Sequence, residues 1–420
     1  MFLLTELWRL NRQQWLNPKS LEAITSMKLR RLVTRAWYFS PFYRENYERV
    51  GFRPEHLTGT FDLSKIPVIT RTELMEAGTS AYCWDVDINR CTWFETSGST
   101  GTPMRIPFTR DDRLHRILKE LRIFMAHGYK FTDQTAILRL PSDTILKKPW
   151  LQRFRIIRRQ YISILLEACR QIEAINNARP DVMYSYASNL RLVAEVLESG
   201  LYPKPKLKML FSSAEILDEA SRKVIAHGFG IDPTDLYGTT EFGWIGWQCP
   251  KRREYHLNSD CIIVECLRNE QPVEPGEEGN LVITNLHSDA APLIRYDTGD
   301  VGVLSSDKCS CGRSLPLLSS FSGRLTDCIV LPGGRKLSPL AVTRALTDIP
   351  GMRQFQVTQE QKDRFKVHLM TGKNVPNATA ITTAMCDLLN FPANIAVEYT
   401  EHLPIESNGK FRVVKSLVKQ

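Results

Sequence analysis

The segment Leu21–Phe39 (LEAITSMKLRRLVTRAWYF) carries apolar residues at three- and four-residue spacing until Pro41 interrupts it, which predicts an amphipathic helix. Similar patterning makes residues 1–75 a helical opening. From 76 to 320, helical stretches alternate with short runs rich in β-formers: DVMYSYA, KLKMLFSSA, IIVECL and NLVITNL, bounded by Pro, Gly, Asp or Asn. These read as strands, and helix–strand alternation predicts an α/β architecture. Beyond GRLTD (323–327) the texture changes. CIVL, FQVTQ, FKVHLM and IAVEYT are strand candidates with two helices between them, a compact α+β unit. The expected division is therefore a large domain over 1–322 and a small one over 323–420, joined near 323–327. No internal repeat or low-complexity tract is visible.

Composition narrows the picture modestly. With 420 residues, 43% hydrophobic and 24% charged, the chain is an ordinary globular sequence long enough for two or three domains. No run approaches the roughly 18 apolar residues of a membrane span. The opening MFLLTELWRLNRQQW meets Glu6 and Arg9 too early for a secretory signal, so the expected location is the cytoplasm. Ten scattered cysteines do not make a disulfide scaffold. The net charge of +9 admits nucleic acid, an anionic surface or phosphorylated ligands. The densest cluster, LKKPWLQRFRIIRRQ (146–160), alternates bases with apolar residues. It reads as a solvated amphipathic helix or as a docking surface. No nucleic-acid-binding signature accompanies it.

Candidate chemistry begins at Thr96-Ser97-Gly98-Ser99-Thr100-Gly101-Thr102-Pro103. Glycines let backbone N–H groups approach phosphate oxygens, and hydroxyls add donors without bulk. The run lacks the lysine of a Walker loop, and alone it also describes a flexible loop. Further along stand Ser213-Ala214-Glu215, Tyr237-Gly238-Thr239-Thr240-Glu241, Arg295-Tyr296-Asp297-Thr298-Gly299-Asp300, Gly323-Arg324 and Asn408-Gly409-Lys410. Cys249, His256, Cys309 and Cys311 supply three thiols and an imidazole, the donor set of a closed structural zinc site. The short C-x-C spacing is equally compatible with unrelated residues.

In order and spacing these motifs resemble the adenylate-forming superfamily of acyl-CoA synthetases, and within it the phenylacetate–CoA ligase-like branch with its CapK- and coenzyme F390 synthetase-type proteins. SPFYRENYERVGF, FDLSKIPVITRTEL, APLIRYDTGD and CSCGR carry the branch resemblance, which runs from about residue 30 to residue 415. It implies a large adenylate-forming domain with parallel and mixed sheets and flanking helices, plus a C-terminal lid. It further implies ATP-dependent activation of a small carboxylic acid to an acyl-adenylate, with transfer to coenzyme A as the branch default. A carrier-protein thiol, an amine, AMP transfer to a final acceptor or a non-catalytic relative remain alternatives. No integral membrane association or nucleic acid is expected, and the oligomeric state, a dimer included, stays open.

By the same resemblance Lys410 is the adenylation lysine. Glu241 is a magnesium ligand, with Thr240 near the α-phosphate. Asp300 accepts hydrogen bonds from the ribose hydroxyls, and Arg324 approaches phosphate or ribose. Tyr237 and the Ser213–Glu215 backbone flank adenine. The acid pocket is expected between Tyr184–Asn189 and Gly243–Trp247, walled by Tyr184, Tyr186, Trp244 and Trp247. Some branch members carry a metal at positions matching the Cys/His set. Two departures stand out. Met104-Arg105 follows the phosphate loop, where many members have lysine, and Thr326 occupies a hinge position that is often acidic.

Overall fold

The computed structural model describes residues 2–96, 103–140, 156–324, 327–333, 336–347, 349–371, 375–400, 403–404, 406 and 410–418. Phosphate-loop residues Ser97, Gly98, Ser99, Thr100 and Gly101, the basic stretch up to residue 155, Thr326, Asn408 and Gly409 lie outside them. The protein is mixed α/β and forms two compact units, one of residues 1–129 and 236–321, the other of 130–235 and 322–420. The last crossing, at 321/322, lies beside the expected hinge. The residues beyond it group with 130–235, so these units do not follow a simple 1–322/323–420 division.

The first unit opens with helices Phe2–Gln13, Pro18–Phe39 and Pro41–Arg49. Asn17 caps the second by accepting the Ser20 N–H at 2.9 Å, and Pro18 suits its first turn, where the missing N–H costs nothing. Its buried stripe, Leu21, Leu29, Leu32, Val33 and Ala36, follows the helical period of the sequence. Pro41 both ends this helix and starts the next. Leu29, Leu32, Val33 and Ala36 of this stripe pack in a core with Ile245, Leu257, Ile262, Leu281 and Ile283. These come from antiparallel strands Gly243–Gln248, Tyr255–Leu257, Ile262–Arg268 and Glu278–Asn285. Thr92–Thr96 and Met104–Phe108 form a separate antiparallel pair, with Thr96 opposite Met104.

In the second unit Gln134–Arg139, Arg158–Ser163, Val182–Tyr186 and Met209–Ser213 are parallel. The helices Ala168–Ala178 and Ala187–Leu197 supply crossovers that parallel strands require, and Glu219–Phe229 follows the last of these strands. Tyr186 and Ser213 pair at the carboxyl ends of adjacent strands, where α/β sheets place ligands. Residues 327–418 have a core of their own, including Ile329, Val342, Val357, Phe365, Val367, Ile381 and Met385. Their sheet runs Asn394–Thr400, Arg364–Thr371, Met352–Gln361, Val414–Ser416, with helices Pro339–Thr347 and Ala378–Leu389. Among the described residues no helix is long and apolar enough to cross a membrane.

Helices Ala187–Leu197 and Glu219–Phe229 meet at Gly228, where an added Cβ would lie 2.6 Å from both Cβ and carbonyl O of Ala194. Backbone cannot yield there as a flexible side chain would. Gly228→Ala is expected to destabilise the protein by about 1–3 kcal/mol, read as a lower denaturant midpoint; an unchanged midpoint would contradict the close approach.

Candidate active site

The helix Arg110–Ala126 starts on a capping box. Thr109 Oγ accepts the Asp112 N–H at 3.0 Å, and the Asp112 carboxylate accepts the Thr109 N–H at 2.8 Å. Arg116, Lys119 and Arg122 recur every third residue and so share one helix face. Arg116 donates to the carbonyl of Glu241 at 3.3 Å and lies over the rings of Phe94 and Phe108. Lys119 Nζ donates to the carbonyl of Phe242 at 2.6 Å. Arg122 donates to Asp260 at 2.6 Å and to Asn258. Burial pulls Arg116 down to about 10 and Lys119 down to about 8, because a low-polarity surrounding disfavours the charged form.

These cations fix the backbone that carries the Tyr237–Glu241 motif. Thr239 Oγ accepts the Phe242 N–H at 3.3 Å and closes the turn, while Thr240 is half-buried. Gly238 has no room for a side chain, since a Cβ would meet Gly243 O at 2.7 Å and the Trp244 ring at 2.8 Å. Glu241 is 8% exposed, with its carboxylate 4.0 Å from Arg71. Arg71 also donates to Thr96 Oγ at 2.6 Å, tying Glu241 to the last residue before the phosphate loop. A carboxylate held this way can ligate magnesium, a hard ion that favours oxygen. On the neighbouring motif, Tyr237 donates to Asp300 at 2.8 Å and its ring lies 4.6 Å from that of Phe321. The Thr-Gly-Asp turn is held by Asp297, which accepts the Gly299 N–H at 2.9 Å, with Gly299 at φ +70°. Buried Asp300 is thus a fixed acceptor.

Cys249, His256, Cys309 and Cys311 come together, their ligand atoms all within 4.8 Å of one another. Cys249 and Cys309 sulfurs are 3.5 Å apart, and Cys311 Sγ is 3.3 Å from His256 Nε2. Backbone N–H groups of Lys251 and Cys311 point at Cys249 and Cys309 sulfurs, at 3.4 and 3.5 Å. Donors aimed at sulfur suit thiolates. Four converging soft and borderline donors, three of them buried, fit tetrahedral zinc with no position left open.

In the second unit the chain leaves strand Met209–Ser213 through Ala214 at φ +66°. This turn presents Glu215, whose carboxylate accepts from Ser188 N at 2.8 Å, Ser188 Oγ at 3.0 Å and Phe411 N at 2.7 Å. Lys410 therefore stands beside the Ser213–Glu215 turn. Lys410 O accepts the Glu406 N–H at 2.9 Å, and Arg412 pairs with Asp327 at 3.1 Å and Glu406 at 2.6 Å. Arg324 is half-buried, and its carbonyl accepts from Cys328 Sγ at 3.5 Å.

Tyr184 and Tyr186 are half-buried and lie two residues apart on Val182–Tyr186, so they share a face. Trp244 is half-buried and donates from Nε1 to Glu120 at 3.3 Å. Trp247 differs from the expectation. It is fully buried, tilted against His256 at 5.6 Å, with Arg122 over its ring. It has no surface left to offer a ligand and packs as core beneath the Cys/His cluster. Sequence reasoning also missed Arg71, Arg116, Lys119 and Ser188. The three-residue period of bases in RDDRLHRILKELRIF was the available signal for two of them.

Residues 329–417 match the family described as the CapK C-terminal domain. The chain is 26% identical over 356 residues to the phenylacetate–coenzyme A ligase of Thermus thermophilus, covering 79% of this chain and 76% of that one. With the phenylacetate–coenzyme A ligase of Escherichia coli it shares 24% over 345 residues, 74% and 73% of the two chains. Among solved structures, a 2-hydroxyisobutyryl-CoA ligase in the postadenylation state with 2-HIB-AMP superposes with a TM-score of 0.82 at 19% identity, covering 97% and 92%. An anthranilate CoA ligase with anthranoyl-AMP gives 0.59 at 17% identity, covering 77% and 66%. The fold is that of the adenylate-forming CoA ligases.

The buried Lys119 yields a pH test. Its folded value, about 8, lies below the ordinary 10.5, so between these the unfolded chain binds the extra proton and stability rises with pH. Wild-type stability should gain up to roughly 3 kcal/mol from pH 8 to 10.5 relative to Lys119→Met. Denaturant melts across that range check it, and parallel pH profiles for the two proteins would contradict it.

Proposed function

We propose that this homologue of the phenylacetate–coenzyme A ligases activates a small carboxylic acid with ATP and passes the acyl group to coenzyme A. The observation that carries the reading is Lys410 standing beside the Ser213–Glu215 turn, at the carboxyl ends of parallel strands. Joining a carboxylate to an α-phosphate brings two anions together, and fixed positive charge is what such a transition state lacks. Lys410 supplies it. The carboxylate oxygen attacks the α-phosphorus, the bond to the bridging oxygen breaks, and pyrophosphate leaves with the electron pair. In the second step the thiolate sulfur attacks the acyl carbon and AMP departs with the carboxylate-derived oxygen.

Other residues hold the nucleotide. Asp300, fixed by Tyr237, accepts hydrogen bonds from the ribose hydroxyls, a task for an acceptor-only group. Tyr237 and the Ser213–Glu215 backbone flank adenine, and Arg324 approaches ribose or phosphate. Thr96 leads into the phosphate loop, and Thr240 lies near the α-phosphate. Glu241 would hold magnesium, which supplies charge neutralisation on the phosphates. Tyr184, Tyr186 and Trp244 offer aromatic surface to a planar or apolar acid. Residues 323–420 serve as a lid, and the reaction belongs in the cytoplasm, where ATP and coenzyme A are available. Support for two lid positions comes from the 2-hydroxyisobutyryl-CoA ligase, solved in both postadenylation and thioesterification states.

The direct test is ATP–pyrophosphate exchange against a panel of aromatic and aliphatic acids. Acid-dependent exchange is expected, and Lys410→Ala should cut it by about 10²- to 10³-fold while ATP still binds. Exchange indifferent to every acid, or a near-wild-type variant, would refute the reading.

Cys249, His256, Cys309 and Cys311 would hold zinc in a structural role. Elemental analysis after chelator-free purification should find about one zinc per chain, and Cys309→Ser should lower the melting temperature, because metal binding contributes folding free energy. Metal-free protein of full stability would remove zinc from the account.

A further inference from the structure

We infer that Glu215 is a positioning residue for Lys410: its carboxylate latches the lysine segment in place for adenylate formation and must release it before acyl transfer. The inference rests on the function proposed above and adds a residue whose side chain has no part in it.

The argument starts from where the bonds lie. Glu215 Oε1 accepts the Phe411 N–H at 2.7 Å and the Ser188 hydroxyl at 3.0 Å, while Oε2 accepts the Ser188 N–H at 2.8 Å. Ser188 opens the helix Ala187–Leu197, so two of the three donors anchor the carboxylate to a rigid element. The third is the backbone amide next to Lys410, and fixing that peptide plane fixes the lysine Cα. Ala214 turns the chain toward this position at φ +66°, a conformation unfavourable for a non-glycine residue and kept only where surrounding contacts impose it.

Other bonds of the lysine segment have a different reach. Glu406 N to Lys410 O, Arg412 to Asp327 and Glu406, and Gln356 Nε2 to Arg412 O at 2.8 Å all stay within 322–420. They preserve the segment's shape wherever those residues go. The Phe411–Glu215 bond joins it to residues 130–235. A rotation near 323–327 leaves the first set intact and breaks the Glu215 bond. A charge-assisted hydrogen bond of this kind is strong enough to bias a position and weak enough to exchange. Burial pushes the Glu215 carboxyl up from its ordinary value, against the lowering effect of Phe411, Ser188 and Lys410, so acidification weakens the latch by protonating it.

The test uses full-length Glu215→Gln and Glu215→Ala with three readouts. Pyrophosphate exchange is run with the acid that best supports it, thioester formation with synthetic acyl-adenylate and coenzyme A, and amide hydrogen exchange on the peptide spanning 410–418. The exchange turnover should fall about 10- to 100-fold, the loss of one charge-assisted hydrogen bond. The KM for ATP and the thioester step should each change by less than about threefold. Glu215→Gln should be the milder variant, since it keeps one acceptor. Wild-type exchange should decline on acidification toward the Glu215→Gln level, with the variant flat over the same range. Hydrogen exchange should quicken at 410–418 and stay unchanged in the strands Met352–Gln361 and Arg364–Thr371, which reports an intact fold. Equal losses in both half-reactions would make Glu215 a nucleotide contact and overturn the latch, as would unaltered protection at 410–418. If wild-type protein supports no acid-dependent exchange, the proposed function falls, and the protection measurement still decides whether Glu215 holds Phe411.

Discussion

Burying a charge is costly unless it is paired or fully hydrogen-bonded, and the first unit is organised around three cations on one helix, Lys119 and Arg122 buried and Arg116 half-buried. Arg116 and Lys119 donate to consecutive backbone carbonyls, those of Glu241 and Phe242, and Arg122 pairs with Asp260 and donates to Asn258. Each cation therefore requires its partner in place. The turn that presents Glu241 and the strand end at Asn258 are both pinned to the same face of Arg110–Ala126. Arg122 continues this over Trp247, which packs on His256 of the Cys/His cluster. Candidate magnesium and zinc ligands thus share one supporting helix, and a change in its cations would reach both.

The second unit applies the same constraint with the sign reversed. Here a carboxylate, Glu215, gathers N–H and O–H donors at the carboxyl ends of parallel strands. Where the cations of the first unit fix backbone permanently, Glu215 divides its acceptors between a rigid helix start and the segment carrying Lys410. That division is what allows one contact to be structural and the other exchangeable.

Much of the architecture was legible because it follows from local periodicity. The stripe of Pro18–Phe39, the break at Pro41, the strands Val182–Tyr186 and Glu278–Asn285, and the α+β texture after residue 327 all express patterns of a few residues. The Cys/His set was legible as a donor inventory, although only folding brings His256 to Cys311. Long-range pairings were not readable. Nothing local marks Arg71 as the partner of Thr96 and Glu241, or Glu215 as the acceptor for an amide 196 residues away. The net charge misled in a specific way. Basic residues that look diffuse along the chain include Lys119 and Arg122, which are buried, and Arg116, which is half-buried over Phe94 and Phe108; all three serve structure. Trp247 failed as a pocket wall for a related reason. Trp247 is enclosed by Arg122 and His256 and keeps no exposed surface, whereas Trp244 on the same strand stays half-buried.

The central claim is that the acid's own oxygen becomes bonded to the α-phosphorus of ATP. It is tested most directly by a single turnover with a carboxylic acid labelled with oxygen-18 in its carboxylate, followed by mass analysis of the products. The account predicts one labelled oxygen in the AMP released on thioester formation and none in pyrophosphate. AMP free of label alongside a completed thioester, or label in pyrophosphate, would contradict an acyl-adenylate route and the roles assigned to Lys410, Glu241 and Asp300 with it.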